Sequence, residues 1–247
     1  PVPDGDTGTN LYLTMESACQ SVEACWPDET ADPGVRATAR AMSTGALLGA
    51  RGNSGVIMSQ ILRGTSEVLA GVPDGTTLDG PTVQQLLIRA ADLGYEAVAR
   101  PVEGTILTVA RAAAEAATAR VQDGVADATA VITAAADAAR DTLERTPQML
   151  ESLRLAGVVD AGGRGLVVVL DALAEVVSGA RRSEMGPHVP LPRPVDAEAT
   201  HHYGGPAYEV MFLLDADDAQ VPALRQELDA LGDSLVVVGG DGLWNVH

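Results

Sequence analysis

The chain has 247 residues, 46% of them hydrophobic and only 3% aromatic, so its core has to be built from Ala, Leu and Val. Acidic residues outnumber basic ones by 34 to 16, a formal charge of −18. That excess excludes broad nucleic-acid binding, which needs basic surface to displace counterions, and any phosphate held here would need metal ions beside it. The two cysteines, Cys19 and Cys25, share one predicted helix, have no zinc-ligand spacing and offer no disulfide framework, so they read as small core residues. There is no signal peptide and no apolar run long enough to span a bilayer, which points to a cytoplasmic protein.

Residues 1–10, Pro1-Val-Pro-Asp-Gly-Asp-Thr-Gly-Thr-Asn10, are the stretch around which the rest is arranged. Asp4 and Asp6 stand two apart with Gly5 between them, and a bend at the glycine can aim both carboxylates at one point, a hard-oxygen pair suited to Mg²⁺. Gly8, Thr9 and Asn10 then open a helix whose first N–H groups lack intrahelical partners and can receive an anion. The alternative is that Asp6 is only an N-cap and Asp4 only a turn residue.

Helical spacing predicts a first helix over 8–25, through Leu11, Met15, Ala18 and Val22, ended by Pro27. A second covers 33–48 with Pro33 in its first turn. A glycine-rich break at 49–55 precedes a third helix over 56–69, and a fourth covers 81–98. Pro101-Val-Glu-Gly104 interrupts the chain before a fifth helix over 105–121; a sixth is expected over 127–143 and a short seventh over 146–153. A second glycine-rich break, Gly157-Val-Val-Asp-Ala-Gly-Gly-Arg-Gly165, precedes an eighth helix over 166–177. Val167–Leu170 has strand propensity but sits in a long Ala/Leu-rich stretch and is read as helix. Short connections make this an all-α array of antiparallel neighbours, a bundle or a barrel.

The character changes after Gly179. Residues 181–203 hold many Pro, His and charged residues and read as a linker. A strand over 208–214, a helix over 221–231 and strands over 234–238 and 243–247 open an α/β domain. The domains expected are therefore 1–180, a linker 181–203, and 204–247 as the start of the second. All four histidines, His188, His201, His202 and His247, lie outside the helical part, which therefore holds no Ser-His-Asp or Cys-His arrangement. A chain starting at Pro1 inside one motif and ending at His247 inside a strand is expected to be a fragment, catalytically poor by itself, with a barrel left open on one side.

The breaks before the first, third, fifth and eighth helices can share one rim. Gly52, Asn53, Ser54 and Gly55 suit a second anion-receiving helix start, in which glycine admits the phosphate and Asn53 and Ser54 add polar side chains. Neither a Walker A ending nor a GxGxxG after a strand is present. Each break, taken alone, reads more readily as a plain interhelical turn, where glycines normally go.

Taken together, Pro1–Asn10, Gly49–Ile57, Pro101-Val-Glu-Gly-Thr-Ile-Leu-Thr-Val109 and Gly157–Gly165 resemble, in order, the motifs of the ATP-binding subunit of bacterial fatty acid kinase, whose N-terminal domain is similar to the nucleotide-binding L subunit of dihydroxyacetone kinase. Gly232-Asp-Ser-Leu-Val-Val-Val238 and Leu243-Trp-Asn-Val-His247 resemble the start of the same family's middle domain. The resemblance implies an antiparallel helical barrel, followed by the truncated start of an α/β domain, that binds ATP at one rim through two Mg²⁺ ions. It implies metal binding and a catalytic role for Asp4 and Asp6, phosphate contacts from Thr7, Gly8, Thr9 and Asn10, a second phosphate loop at Gly52, Asn53, Ser54 and Gly55, and a nucleotide pocket lined by Thr105, Asp160 and Gly162.

It further implies that a separate fatty-acid-binding protein presents a fatty acid whose carboxylate takes the γ-phosphoryl group, giving an acyl phosphate for phospholipid synthesis. A homodimer of the full-length protein is left open. The sequence departs from the family where many members have Tyr-Cys-Thr-Glu, since Tyr208-Glu-Val-Met211 stands there, which puts a middle-domain metal site involving that Cys and His247 in question. The rival readings are a regulatory nucleotide-binding module without transfer activity and a dihydroxyacetone-kinase-like (glycerone kinase) subunit.

Overall fold

A computed structural model describes residues 5–26, 32–180, 208, 210–232, 235–240 and 242–247. The expected linker, Asp4 and His188, His201 and His202 lie outside the described residues. Among the described residues, eight helices occupy the first part: α1 (Thr7–Glu23), α2 (Gly34–Leu48), α3 (Gly52–Leu69), α4 (Gly80–Ala97), α5 (Ile106–Gln122), α6 (Ala128–Met149), α7 (Glu151–Ala156) and α8 (Ala161–Ser178). Then come β1 (Phe212–Asp215), α9 (Val221–Asp229), β2 (Val237–Gly240) and β3 (Leu243–Val246).

Each long helix packs on its chain neighbour, α6 packs on α8, and α8 packs on α1, so the helices form a ring rather than a stack. The expected all-α barrel is therefore present, with α8 touching α1. The outer side of this seam is nevertheless apolar: Tyr12 and Leu13 of α1 and Val168, Leu173, Val176 and Val177 of α8 are exposed.

The interior follows from the composition. Ala110, Ala113 and Ala117 of α5 and Ala135, Ala136 and Ala139 of α6 are buried in the central core with Ile132, Leu143, Val109 and Val167. Small side chains let the helix axes approach closely, and the few larger ones fill the remaining space, each contributing roughly 1.5–3 kcal/mol by burial. At Gly64 the approach is to backbone: a Cβ there would lie 2.5 Å from the Arg89 carbonyl oxygen on α4.

Several element boundaries differ from expectation; in the last part β1 is Phe212–Asp215 and β2 is Val237–Gly240, where the expected strands cover 208–214 and 234–238. Helices α3 and α8 begin inside the glycine-rich breaks, at Gly52 and Ala161, rather than after them. The glycines are tolerated there because first-turn residues face close neighbours, as described below. Helix α6 runs through Pro147 to Met149, and the short helix α7 is displaced to Glu151–Ala156. Pro147 has no N–H for the carbonyl of Leu143, four residues earlier, and the buried Thr146 hydroxyl donates to that carbonyl instead, at 2.8 Å. Cys19 also departs from expectation. It is exposed, because it follows buried Ala18 and so sits about 100° away from the Leu11–Thr14–Ala18 face, while Cys25 is half-buried.

The last part is a three-stranded antiparallel sheet in the order β1-β3-β2, with Val237 opposite Val246 and Phe212 opposite Val246 on the other side. Val221 of α9 packs with Val237, Trp244 and Val246 in a small core of its own. Among the described residues, no helix is long and apolar enough to cross a membrane.

Candidate nucleotide site

The starts of α1, α3, α5 and α8 meet at one end of the ring. A Cβ on Gly52 would lie 2.6 Å from Asn10 Nδ2, and one on Gly55 would lie 2.4 Å from Thr14 Oγ1, so the first turn of α3 rests directly on α1. Gly52 also has φ +56°, a left-handed conformation that favours glycine. A Cβ on Gly165 would lie 2.4 Å from Leu11 Cδ1, which seats the N-terminal part of α8 against α1. Gly162 is buried, 3.3 Å from Ile106 Cβ at the start of α5 by the same measure. The four helix starts expected to share a rim are thus in contact, and glycine makes all four of the contacts just given.

The four helix starts are not alike. Thr105 caps α5, accepting from the Leu107 N–H at 3.3 Å while its hydroxyl donates to the Val102 carbonyl at 2.8 Å. Asp160 caps α8, accepting from the Gly163 N–H at 2.6 Å. Its own N–H donates to Thr146 Oγ1 at 3.0 Å. Burial pushes the Asp160 carboxyl above its ordinary range, and the N–H groups of Gly163 and Ile106 oppose that rise. By contrast α1 and α3 have no side-chain cap. Their intrahelical ladders start at Asn10 N–H to Asp6 O, 2.9 Å, and Gly55 N–H to Arg51 O, 3.0 Å. The N–H groups of Thr7, Gly8 and Thr9, and those of Gly52, Asn53 and Ser54, therefore have no acceptor among the described residues. Two uncapped helix ends side by side concentrate unsatisfied donors and the positive ends of two helix dipoles.

Oxygen acceptors stand beside these donors. Asp6 accepts from Asn10 Nδ2 at 2.8 Å through Oδ2, leaving Oδ1 without a partner among the described residues. Asn53 Oδ1 is buried and unpartnered. A buried acceptor without a donor costs about 1–3 kcal/mol unless a ligand, water or cation satisfies it. A free carboxylate oxygen and an amide oxygen are hard donors of the kind Mg²⁺ takes, so the described residues fit that ion. Among the described residues no group of three or more His, Cys, Asp or Glu side chains is placed to hold a metal.

Three contributors are not among the site residues expected from the sequence. Thr14 is fully buried, donates to the Asn10 carbonyl at 2.8 Å and accepts from the Arg51 N–H at 3.3 Å, tying α1 to the residue before α3. Its position on the buried face, three residues after Leu11, is the available signal. Thr146 links α6 to the start of α8, and only its place before Pro147 hints at it. Arg51, the exposed residue preceding Gly52, is a cation at the rim of a strongly acidic chain.

The loop before α5 is fastened by Glu103. Its carboxylate accepts from Thr108 at 2.6 Å, from Arg111 at 3.0 Å and from the Tyr95 hydroxyl at 3.2 Å, and the Arg111 guanidinium lies 3.8 Å over the Tyr95 ring. The Thr108 hydrogen bond and the Arg111 charge hold the Glu103 carboxyl below its ordinary range, and burial with Glu103 nearby pushes Tyr95 up to about 12. A lowered folded-state value means that Glu103 stabilises the fold above the ordinary carboxylate pKa of about 4.3 and loses that contribution as pH falls through the lower value. Glu103→Gln should therefore remove part of the acid limb. Urea midpoints measured from pH 6 to 3 should fall less steeply for the variant than for the parent, and parallel curves would reject this role.

Comparison with known proteins adds two family matches and several relatives. The DAK2 domain matches residues 1–175, and the fatty acid kinase A-subunit-like middle domain matches residues 205–247. Protein YloV of Bacillus subtilis is 38% identical over 261 residues, covering 100% of this chain and 45% of that protein. An uncharacterized protein of Staphylococcus saprophyticus is 35% identical over 257 residues, and one of Staphylococcus aureus strain USA300 is 33% identical over 259 residues, with the same 100% and 45% coverage. The chain thus spans a little under half the length of these relatives.

Proposed function

From the premise that this chain belongs to the DAK2-domain family and matches a fatty acid kinase A-subunit-like middle domain over residues 205–247, we propose that it is the nucleotide-binding part of a fatty acid kinase. In this reading it transfers the γ-phosphoryl group of ATP to the carboxylate of a fatty acid presented by a separate lipid-binding protein. The observation that carries the nucleotide assignment is the pair of uncapped helix starts, α1 and α3, in contact at the rim.

The chemistry asks little of the side chains beyond placement. A fatty acid carboxylate is already ionised near neutral pH, so no general base is required. The protein has to orient the phosphates and offset their charge. The N–H groups of Thr7, Gly8 and Thr9 and of Gly52, Asn53 and Ser54 are proposed to receive phosphate oxygens, with Arg51 beside them. Asn10, oriented by Asp6, keeps the first turn of α1 against Gly52. Asp4 and Asp6 would hold two Mg²⁺ ions, with Asn53 Oδ1 as a further oxygen donor. When bound, Mg²⁺ supplies charge neutralisation at the phosphate oxygens. Thr105, Asp160 and Gly162 are proposed to line the pocket from the α5 and α8 side, where the first two already cap their helices.

The middle-domain match favours a fatty acid over dihydroxyacetone as acceptor, because it is named for the fatty acid kinase. The test is a phosphate-transfer assay on the intact protein with labelled ATP and Mg²⁺. Acyl phosphate should form only when an acyl-loaded fatty-acid-binding protein is added. Transfer to dihydroxyacetone instead would move the chain to the glycerone kinases, and ATP binding with no transfer to either would leave a regulatory module.

A further inference from the structure

The sheet docks on the underside of the α3 start. Ala50 and Val56 flank the first turn of α3 and are almost wholly buried, at 1% and 0% exposure. They share a small core with Ala97 at the end of α4 and with Val236 and Val238, and Leu47 and Val98 pack around it. This core is separate from the one inside the helical ring and from the one beneath α9. Polar contacts reinforce it. Asn245 on β3 is buried, and its Nδ2 donates to the Leu47 carbonyl at 3.4 Å, near the end of α2. Arg63 on α3 donates to the Gly239 carbonyl, with its guanidinium against Gly240. Val98 forms an antiparallel bridge to Val236, and Arg100 pairs with Asp229 at 3.0 Å. Leu47, Ala50 and Val56, on both sides of the glycine turn, therefore lean on Val236, Val238 and Asn245.

We propose that the β2–β3 pair is a brace for the phosphate-facing start of α3, with Val236 and Val238 as positioning residues for nucleotide binding. This inference rests on the nucleotide reading given above. Gly52, Asn53, Ser54 and Gly55 include two glycines, and helix starts have few bonds of their own, so that turn depends on its surroundings for a fixed position. From one side it rests on Asn10 and Thr14, and from the other on the valines of the middle domain. Coupling of this kind is reciprocal: docking of the strand pair strengthens nucleotide binding, and nucleotide strengthens docking.

The experiment compares two variants of the intact protein. Val236→Ala thins the shared core under α3. Leu228→Ala weakens the same α/β segment through its own core and touches neither Ala50 nor Val56. Calorimetry with ATP and Mg²⁺ should show Val236→Ala binding about tenfold more weakly, within the usual range for coupled sites, and Leu228→Ala binding within about twofold of the parent. Val236→Ile should retain most of the affinity. In the reciprocal arm, nucleotide should slow amide exchange at Val236 and His247, which bond each other's backbone at 2.7 and 2.8 Å. Unchanged affinity in Val236→Ala, or equal loss in both Ala variants, would overturn the brace. If the parent binds no ATP, the functional reading falls instead. The brace is then decided without nucleotide: amide exchange at residues 52–56 should speed up in Val236→Ala and not in Leu228→Ala, and no difference would overturn it.

Discussion

Replacing Asp6 by Ala is expected to lower ATP affinity in the presence of Mg²⁺ by at least tenfold, while leaving the helical content unchanged. Two effects act in the same direction. Under the proposed assignment the variant loses a metal ligand, and a neutral site in a chain of charge −18 retains less of the ion that makes phosphate binding tolerable. It also loses the acceptor that orients Asn10, whose side chain stands against the Gly52 turn. Outer contacts that orient metal-site groups are typically worth 10–100-fold in affinity, so the two losses together should exceed about tenfold comfortably. Asp6→Asn separates them, since it keeps a side-chain oxygen near Asn10 and gives up the charge. Isothermal calorimetry with ATP and Mg²⁺, and again with ATP and EDTA, is the measurement. The parent should lose affinity on chelation and Asp6→Ala should not lose much more. Parent-like binding by Asp6→Ala in Mg²⁺ would end the metal assignment. Stability should change little, because Asp6 makes no side-chain cap bond to α1.

The largest effect on stability is expected at Gly64, in the middle of α3. A Cβ there would sit 2.5 Å from Arg89 O, 2.6 Å from Arg89 C and 2.7 Å from Ala90 Cα. These are backbone atoms of α4, so no side chain can swing aside, and the two helices must separate along a contact that buries Ile61, Leu62, Ala90 and Ala91. Overpacking of this kind costs roughly 1–3 kcal/mol or more, against a gain of about 0.5–1 kcal/mol for Ala over Gly in a helix. The net loss should lower the melting temperature by about 2–8 °C for a chain of this size. Gly94→Ala is the internal control. Its nearest neighbours, Ile61 Cγ1 at 3.4 Å and Leu107 Cδ2 at 3.5 Å, are side-chain atoms at ordinary contact distance. That variant should be neutral or slightly stabilised. A Gly64→Ala protein melting with or above the Gly94→Ala protein would show that the α3–α4 approach is looser than the structure has it.

The sequence by itself determined the helical part and its order, because apolar spacing and caps are local properties. The Leu11–Ala18 spacing and Pro33 before α2 act within a turn or two of chain, as do the caps Thr105 and Asp160 that the structure shows. It also determined where glycine would matter, since four glycine-bearing breaks stand out in an Ala-rich chain. Only the tertiary structure decided what those glycines do. Gly52, Gly55 and Gly165 are helical residues pressed against Asn10, Thr14 and Leu11, and no local signal distinguishes such a helix start from a loop. Likewise, continuation of α6 through Pro147 depends on the Thr146 hydroxyl reaching the Leu143 carbonyl, which sequence rules for proline do not anticipate. The outward Cys19 is a matter of helix phase, fixed once Ala18 faces the ring. The docking of Val236 and Val238 beneath Ala50 and Val56 joins residues nearly two hundred positions apart, and the Leu47–Asn245 bond has a separation of 198. Periodicity shows that each segment has an apolar face; which face it meets is decided by packing, where shape and burial select one partner among many apolar surfaces.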